Sequence, residues 1–322
     1  MFFYHFEMNR VLVTGGCGFK GSVLVPLLLK NNYYVKVLDT MWFGNYLNPH
    51  PNLEIINKDI RNVEITDLEN VSKVIHLANI ANDPSVELQP LLSWEVNVLA
   101  TYKLLDLAAR SSVSQFIFAS SGSVYGIKSE EHVTEELELL PLSAYNKTKM
   151  IAERVCLSFS RDFYIHCIRP ATVCGVSPRM RLDVAVNLLT FQALSENQIT
   201  VLGGSQIRPN IHINDIARLY LFLMNNKLAI PSGCYNAGFE NISIMDIANK
   251  IKSKTGCKIL VKDSNDPRSY RQDSSLIKSY GFSPVENVDS AIEQIIEAFE
   301  KGKLTNKPQW STVNWMKLNN FK

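Results

Sequence analysis

The run GGCGFKG near the amino terminus constrains the fold more than any other part of the sequence. It follows an apolar, β-branched segment, Val11–Thr14, and precedes a helical stretch, Ser22–Asn31. In such a strand–turn–helix unit, Gly15 and Gly18 let the backbone turn tightly and approach a phosphate group, and Gly21 lets the helix pack closely. The helix N-terminus adds N–H groups and a positive dipole. The run therefore predicts a dinucleotide-binding unit rather than a simple glycine-rich turn.

Beyond this run, short β-branched segments alternate with longer helical ones, which is typical of βαβ units around a parallel sheet. The sequence predicts an α/β fold of the Rossmann type, with a doubly wound parallel sheet. The predicted strands are Val11–Thr14, Tyr33–Asp39, Leu53–Asn57, Lys73–Leu77, Gln115–Ala119 and Tyr164–Ile168. The predicted helices are Ser22–Asn31, which contains Pro26, Pro90–Ser111, and Ser143–Arg161, for which Ser143 is the N-cap residue.

The pattern changes after Pro170. We expect a dinucleotide-binding domain over residues 1–170, rejoined by residues 205–240, and a smaller C-terminal α/β domain over residues 171–322 that binds mainly the substrate. Gly203–Pro209 is predicted as a loop and Cys234–Asn236 as a strand that returns to the first sheet. The other predicted elements are the helices Leu182–Glu196, Asn214–Met224, Ser243–Thr255 and Val288–Lys301 and the strands Ile199–Leu202 and Lys258–Val261. The tail over residues 304–322 carries two tryptophans, but its pattern predicts no placement.

Charge and cysteine content exclude several classes of protein. The 33 Lys and Arg residues nearly balance the 31 Asp and Glu residues, so a nucleic-acid partner is not expected. The six cysteines include no C-x-x-C pair and have no histidine at ligand spacing, which indicates neither a metal site nor a disulfide framework. No apolar run approaches the roughly 20 residues that span a bilayer. We therefore expect a cytoplasmic protein without a membrane partner.

An acidic residue closes the predicted second strand. Asp39 lies about 20 residues after Gly18, where a carboxylate accepts hydrogen bonds from ribose hydroxyls and repels a 2′-phosphate. Met41 and Trp42 follow where an NADP site more often has an arginine, so the cofactor is predicted to be NAD. Lys20 is unusual, because an apolar residue normally packs inward at this helix entry. It either extends to solvent, the alternative that we favour, or reaches a phosphate.

Tyr145 and Lys149 lie at i and i+4 of the predicted helix Ser143–Arg161, and therefore on one face. A neighbouring ammonium lowers the pKa of a phenol by favouring the phenolate, and this makes the phenol a better base. The fifth predicted strand ends in Ala119-Ser-Ser-Gly-Ser-Val-Tyr-Gly126, which places hydroxyl groups at the carboxyl edge of the sheet, where open α/β proteins bind ligands.

Taken in order, these motifs resemble those of one family. The glycine run, Asp39, Asp59-Ile-Arg61, His76-Leu-Ala78, the S-S-x-x-V-Y-G segment and Y-x-x-x-K are similar to the motifs of the extended short-chain dehydrogenase/reductase family of nucleotide-sugar epimerases and dehydratases. Later segments extend the resemblance over nearly the whole chain: Ile211-His-Ile-Asn-Asp215, Tyr235-Asn-Ala-Gly238 and Asp266-Pro-Arg-Ser-Tyr270.

The resemblance implies residue roles. Tyr145 would be the general base or acid at a sugar hydroxyl, Lys149 would hold the nicotinamide ribose and lower the pKa of Tyr145, and Ser121 would share the proton and contact the substrate. Asn97 would lie on the helix behind the site. The cofactor-binding residues would be Gly15, Gly18, Phe19, Lys20, Gly21, Asp39, Asp59, Ile60, Leu77, Ala78, Asn97, Tyr145 and Lys149.

For the substrate, the resemblance implies a nucleotide-diphosphate sugar. Arg208, which precedes the I-H-x-x-D segment, would be the main contact, and the other substrate-binding residues would be Arg179, Arg181, Asn187 and Arg268. Guanidinium groups match phosphate oxygens, although Arg179 and Arg181 could equally be solvent-exposed loop residues. A further arginine expected shortly before Asp266 is absent, so GDP, UDP, dTDP and CDP sugars are not distinguished.

One segment of the sequence narrows the set of possible reactions. Family members that are 4,6-dehydratases carry an acidic residue between the catalytic hydroxyl and V-Y-G, whereas Gly122 and Ser123 stand here. We therefore expect NAD-dependent epimerisation through a transient keto-sugar. The alternatives are a C4 dehydrogenase with tightly bound NAD and a non-catalytic NAD-binding protein. The resemblance also implies a homodimer through the helices Pro90–Ser111 and Ser143–Arg161.

Overall fold

The computed structural model describes residues 9–263 and 269–319, and its largest sheet has seven parallel strands. These strands are β1 (Arg10–Thr14), β2 (Tyr34–Asp39), β3 (Leu53–Asn57), β4 (Lys73–His76), β5 (Gln115–Ala119), β6 (Tyr164–Pro170) and β10 (Gly233–Ala237). Their spatial order is β10-β6-β5-β4-β1-β2-β3. The Rossmann-type α/β fold is therefore confirmed. All strand ends that carry predicted site residues lie at one edge, because the strands are parallel.

The remaining strands form two small sheets, and helices cover the large one. The strands are β7 (Thr172–Cys174), β8 (Gln198–Leu202), β9 (Ile207–His212), β11 (Glu240–Ser243) and β12 (Lys258–Lys262). The helices are α1 (Gly21–Lys30), α2 (Asp83–Leu88), α3 (Pro90–Trp94), α4 (Ala100–Ala109), α5 (Ala144–Ser158), α6 (Ala185–Glu196), α7 (Ile213–Asn225), α8 (Ile244–Thr255), α9 (Ser275–Ser279), α10 (Val288–Glu300) and α11 (Thr312–Leu318). No helix among the described residues is long and apolar enough to cross a membrane.

Both faces of the large sheet are buried. Along β1, Val11 and Val13 belong to one apolar cluster with α1 and α7, whereas Leu12 belongs to a second cluster with α4 and α5. This alternation follows from the period of two along a strand. Parallel sheets need such cover on both sides, which explains why their strands are almost continuously apolar.

A buried polar network joins β6, α5 and the segment before α9. Arg169 donates from Nε and Nη2 to the two carboxylate oxygens of Glu153, at 3.0 and 2.9 Å, and from Nη1 to the Tyr125 hydroxyl at 2.8 Å. Tyr125 donates to Asn236 Oδ1, and Gln272 donates both to that oxygen and to the carbonyl of Arg169. All five side chains are buried, and most of their polar groups are satisfied within the network, whereas Oε1 of Gln272 has no hydrogen-bond partner among the described residues.

The sequence prediction was wrong over Gly203–Pro209, because β9 begins at Ile207. Pro209 is tolerated there because only β11 pairs with it, while β7 joins β9 from Asn210 onward. The short strands β7 and β11 and helix α2 were not predicted. Strands of three or four residues are too short to show a periodic pattern.

The predicted helix Pro90–Ser111 is interrupted. A π-helical turn over Glu95–Leu99 separates α3 from α4, and such turns arise where a residue is inserted into the helical ladder. By contrast, α1 continues through Pro26. The third helix begins where it was predicted, since the Ser143 hydroxyl accepts from the Asn146 N–H.

The tail packs against the body of the protein. Leu304, Trp310 and Met316 are buried, and a 3₁₀ turn over Pro308–Trp310 leads into α11. The tail therefore belongs to the folded unit and lies near the carboxyl edge of the sheet.

Candidate active site

The glycine run forms a tight turn that only small residues permit. Gly15 has a φ of +72°, and a Cβ there would lie 2.7 Å from the backbone nitrogen of Ala78. A Cβ on Gly21 would lie 2.4 Å from the carbonyl oxygen of Gly16. The Gly18 N–H donates to the Gly15 carbonyl and closes the turn. Backbone thus forms the wall in front of the α1 N-terminus, where an anionic group is favoured.

This turn borders a cavity of about 500 Å³ at the carboxyl edge of the sheet. Predicted residues from both parts of the chain line it: Gly15, Gly18, Phe19, Lys20, Gly21, Asp39, Asp59, Ile60, Leu77, Ala78, Ser121, Tyr145, Lys149, Arg179, Arg181 and Arg208. Arg268 lies outside the described residues, as do Asp266 and Pro267 of the same motif.

Asp39 is held by the backbone of two loops. Its Oδ2 accepts from the Cys17 N–H at 2.9 Å, and its Oδ1 accepts from the Met41 N–H at 2.7 Å. Burial raises the pKa of the Asp39 carboxyl, and these two bonds and the nearby Arg179 partly offset that rise. Each carboxylate oxygen has further acceptor capacity, so the group can still accept from a hydroxyl in the cavity.

Asp59 and Ile60 line the same side of the cavity. The Asp59 carboxylate accepts from the Arg61 N–H and guanidinium, each at 2.9 Å, and caps the 3₁₀ turn Ile60–Asn62. Although burial raises its pKa, the bonds from Arg61 bring the net shift below the ordinary value. Ile60 is buried and supplies an apolar wall.

Asn97 and Asn187 do not line the cavity. The Asn97 amide accepts from the Ile80 N–H at 2.8 Å and donates to the Ile80 carbonyl and to Thr148. The Asn187 amide likewise accepts from the Gly175 N–H and donates to the carbonyls of Gly175 and Arg181. Both side chains thus hold the backbone beside the cavity, and their predicted direct contacts with ligands stay predictions.

Helix α5 brings Tyr145 to the end of β5. Burial raises the pKa of the Tyr145 phenol to about 12, while Arg181 and a hydrogen bond from Ser121 oppose that rise. The Ser121 hydroxyl also lies 2.7 Å from that of Ser123. The sequence predicted that Lys149 lowers this pKa, but in the structure Arg181 is the cation that favours the phenolate.

Lys149 lines the cavity and is held there by the end of β5. Its Nζ donates to the Ala119 carbonyl at 2.8 Å and lies 4.9 Å from the centroid of the Phe118 ring. Burial, and then the positive charge of Lys20, lower the pKa of Lys149 to about 7. This position therefore disfavours the charged ammonium form of the side chain.

Lys20 is half-buried and lines the cavity, the location expected for the alternative in which it reaches a phosphate. Burial and the nearby Arg181 lower its pKa to about 8. Residue 20 is the N-cap of α1.

Two arginines enter the cavity from the loop after β7, and neither is a solvent-exposed loop residue. Arg181 donates from Nε to Asp183 at 2.7 Å. Arg179 is almost fully buried, and its guanidinium lies 3.8 Å from the centroid of the Phe43 ring. Burial and Arg181 lower the pKa of Arg179 to about 9.

Sequence reasoning missed several cavity-lining residues. Asp83 accepts a hydrogen bond from Ser143, the N-cap of α5, and so ties the loop after β4 to the helix of Tyr145. Asp183 follows Arg181 by two residues, and this spacing could have indicated the ion pair between them. Nothing in the sequence pattern of the tail indicated that Thr312 and Met316 line the cavity.

A family model described as "NAD dependent epimerase/dehydratase family" matches residues 11–238. The chain belongs to this family. It is thus an enzyme of the extended short-chain dehydrogenase/reductase type, and its cofactor is NAD. The cavity fits that group: the glycine turn leaves backbone room for a diphosphate, Asp39 offers acceptors to a ribose, and Ile60 borders an apolar wall.

Relatives in this family catalyse different reactions. The chain is 29% identical to a putative UDP-glucose 4-epimerase of Methanocaldococcus jannaschii, over 96% of this chain and 99% of the relative. It is also 29% identical to UDP-glucuronic acid decarboxylase 1 of Xenopus tropicalis, over 92% of this chain and 73% of that protein. The solved structure of UDP-glucuronic acid 4-epimerase from Bacillus cereus, with UDP-glucuronic acid and NAD, superposes with a TM-score of 0.80 at 28% identity, covering 91% and 99% of the two chains.

Proposed function

We propose that this enzyme epimerises a nucleotide-diphosphate sugar at one carbon through a transient keto-sugar. Bound NAD supplies the chemistry of accepting a hydride from that carbon and returning it. The observation that carries the proposal is the hydrogen-bonded pair of Ser121 and Tyr145 at the cavity, which can carry a proton to and from a sugar hydroxyl. The two residues after Ser121 are Gly122 and Ser123, so this segment offers no carboxylate for the elimination of water.

Tyr145 is proposed to take the proton from the sugar hydroxyl as that carbon is oxidised and to give it back when the carbon is reduced. Because a pKa of about 12 favours the protonated phenol at neutral pH, the action of Tyr145 as a base depends on the groups that favour its phenolate form. Arg181 acts through its charge and Ser121 through its hydrogen bond. Lys149, on the same helix, is proposed to hold the nicotinamide ribose.

The arginines are proposed to bind the nucleotide diphosphate. Arg179 supports this role, because its buried Nε has no hydrogen-bond partner among the described residues. Arg208 and Arg181 line the same cavity, and Arg268 is retained as a proposed contact from the sequence. Solved complexes of similar proteins with UDP-glucuronic acid support a UDP sugar. In this proposal, residues 1–170 bind the cofactor and residues 171–322 mainly the substrate.

The test is incubation with UDP-glucose, UDP-glucuronic acid and UDP-N-acetylglucosamine in deuterated buffer. An epimerase yields a sugar of unchanged mass with no deuterium on carbon, and absorbance of reduced NAD is only transient. A C4 dehydrogenase stalls with reduced NAD and a sugar two mass units lighter. Tyr145→Phe should lower turnover on the identified sugar by about 100- to 10,000-fold. Tyr34→Phe, at an exposed tyrosine outside the cavity, is the matched control, and full activity of Tyr145→Phe would show that the catalytic assignment is wrong.

We also propose a homodimer. Leu91 and Leu99 are 72% and 62% exposed, and Tyr102 is 54% exposed, on consecutive helical segments over residues 90–109. Large apolar side chains exposed together favour an interface. Sedimentation at micromolar concentration tests this, and a monomer there contradicts it.

The six free cysteines support residence in a reducing compartment such as the cytoplasm.

A further inference from the structure

The C-terminal strap, residues 304–318, runs back across the open edge of the cavity. Its first part is anchored beside the loop that carries the arginines: Leu304 and Trp310 pack in one apolar cluster with Met180 and Leu182. The Leu182 N–H donates to the Trp310 carbonyl at 2.8 Å. The strap is therefore fixed to the loop of Arg179 and Arg181 before α11 begins.

At the start of α11 the strap reaches the cavity itself. The Thr312 N–H donates to Asp183 Oδ2 at 3.0 Å, and the Thr312 hydroxyl lies 3.4 Å from a guanidinium nitrogen of Arg179. The Thr312 side chain lines the cavity. Asp183 accepts from the strap with one oxygen and from Arg181 with the other.

The far side of α11 packs on the loop that follows Asp39. The Trp315 ring stacks on Trp42 with centroids 5.4 Å apart and 15° between the planes, and it contacts Phe43 at 5.1 Å. Met316 is fully buried, lines the cavity and packs in the same cluster as Ile60. One helix thus joins two cavity loops that are far apart in sequence.

We infer that α11 retains the cofactor: Thr312 and Met316 close the side of the NAD site lined by Asp39 and Ile60, Trp315 holds α11 against Trp42 and Phe43, and NAD leaves only when α11 undocks. The contacts to be broken are specific, since they include a stacked tryptophan pair and a buried methionine. Such retention suits an enzyme whose reduced cofactor must wait for its keto-sugar. The inference rests on NAD being the cofactor and not on the sugar or reaction proposed above.

The test measures NADH release from the full-length holoenzyme without any sugar. Purified protein is loaded with NADH, mixed with excess NAD, and followed by NADH fluorescence; the NAD that co-purifies is quantified separately. Trp315→Ala removes the stack and should raise the dissociation rate about tenfold, because an aromatic pair adds about 0.5–1.5 kcal/mol beyond its buried area. Lys317→Ala, an exposed residue of the same helix, is the matched control and should leave the rate unchanged.

Trp315→Phe should restore most of the retention, since a ring still packs on Trp42 and Phe43. If Trp315→Ala does not fold, Trp315→Leu should raise the rate in the same direction. A dissociation rate within twofold of the native one, accompanied by a lower melting temperature, means that α11 only stabilises the fold and overturns the inference.

Discussion

Replacing Lys149 by methionine should make the cofactor-free protein more stable, although this lysine is proposed to be essential for activity. The side chain is 2% exposed, and burial and Lys20 lower the pKa of its ammonium from 10.5 to about 7. At about 1.36 kcal/mol for each pKa unit, the fold loses about 5 kcal/mol by holding this amine below pH 7. Methionine has a similar length and carries no charge.

The stability gained by removing the buried amine is partly offset by the loss of its hydrogen bond. Methionine cannot donate to the Ala119 carbonyl, and an unpaired buried carbonyl costs about 1–3 kcal/mol. The net stabilisation is therefore about 2–4 kcal/mol near pH 6.5. Because the native pKa of Lys149 lies below that of the unfolded chain, the unfolded state binds more protons between pH 7 and pH 10.5 and native stability rises with pH there. The advantage of Lys149→Met should shrink by about 3 kcal/mol between pH 6.5 and pH 9.5.

Urea denaturation of the NAD-free proteins across this pH range measures the difference directly. Lys147→Met is the control, because Lys147 lies on the same helix but is exposed, and its stability difference should stay within about 0.5 kcal/mol at every pH. The reasoning is refuted if Lys149→Met is less stable than the native protein at pH 6.5, or if its stability difference does not change with pH.

Two further predictions follow from buried carboxylates. Asp39→Ala should lower the affinity for NAD about 10- to 100-fold, as expected for a lost charged hydrogen bond, and should lower the affinity for NADP less. Titration calorimetry with both dinucleotides checks this prediction. An unchanged ratio of the NAD and NADP affinities contradicts the role of Asp39. Glu153→Leu should cost about 3–5 kcal/mol by leaving Arg169 buried and unpaired. Asp106→Leu, which breaks an exposed pair with Arg110, should cost less than about 1 kcal/mol in the same urea titration.

The glycine turn and its helix were predictable from the sequence because their requirements are local. A turn that admits no Cβ at Gly15 and a strand that ends in Asp39 are both visible within a few residues. The same holds for the N-cap Ser143 and for the cavity position of Tyr145 on α5.

Other features depend on partners distant in sequence. The amide of Asn97 is occupied by the backbone of Ile80, 17 residues earlier in the chain, and the pattern of single residues does not show this pairing. The stack of Trp315 on Trp42 joins the two ends of the described chain. Arg181 rather than Lys149 acts on Tyr145 because Asp183 fixes its guanidinium, a tertiary arrangement.

The network around Arg169 sets a rule for exchanging parts between members of the family. A chimera joined after residue 170 would take β6 and Arg169 from one parent and β10, Asn236 and Gln272 from the other. Exchanging the C-terminal part between parents therefore requires β10 and the stretch that carries Gln272 to come from the same parent as β6. Suitable junctions lie instead in exposed loops of the C-terminal part, where β6, β10 and the stretch that carries Gln272 can all come from one parent.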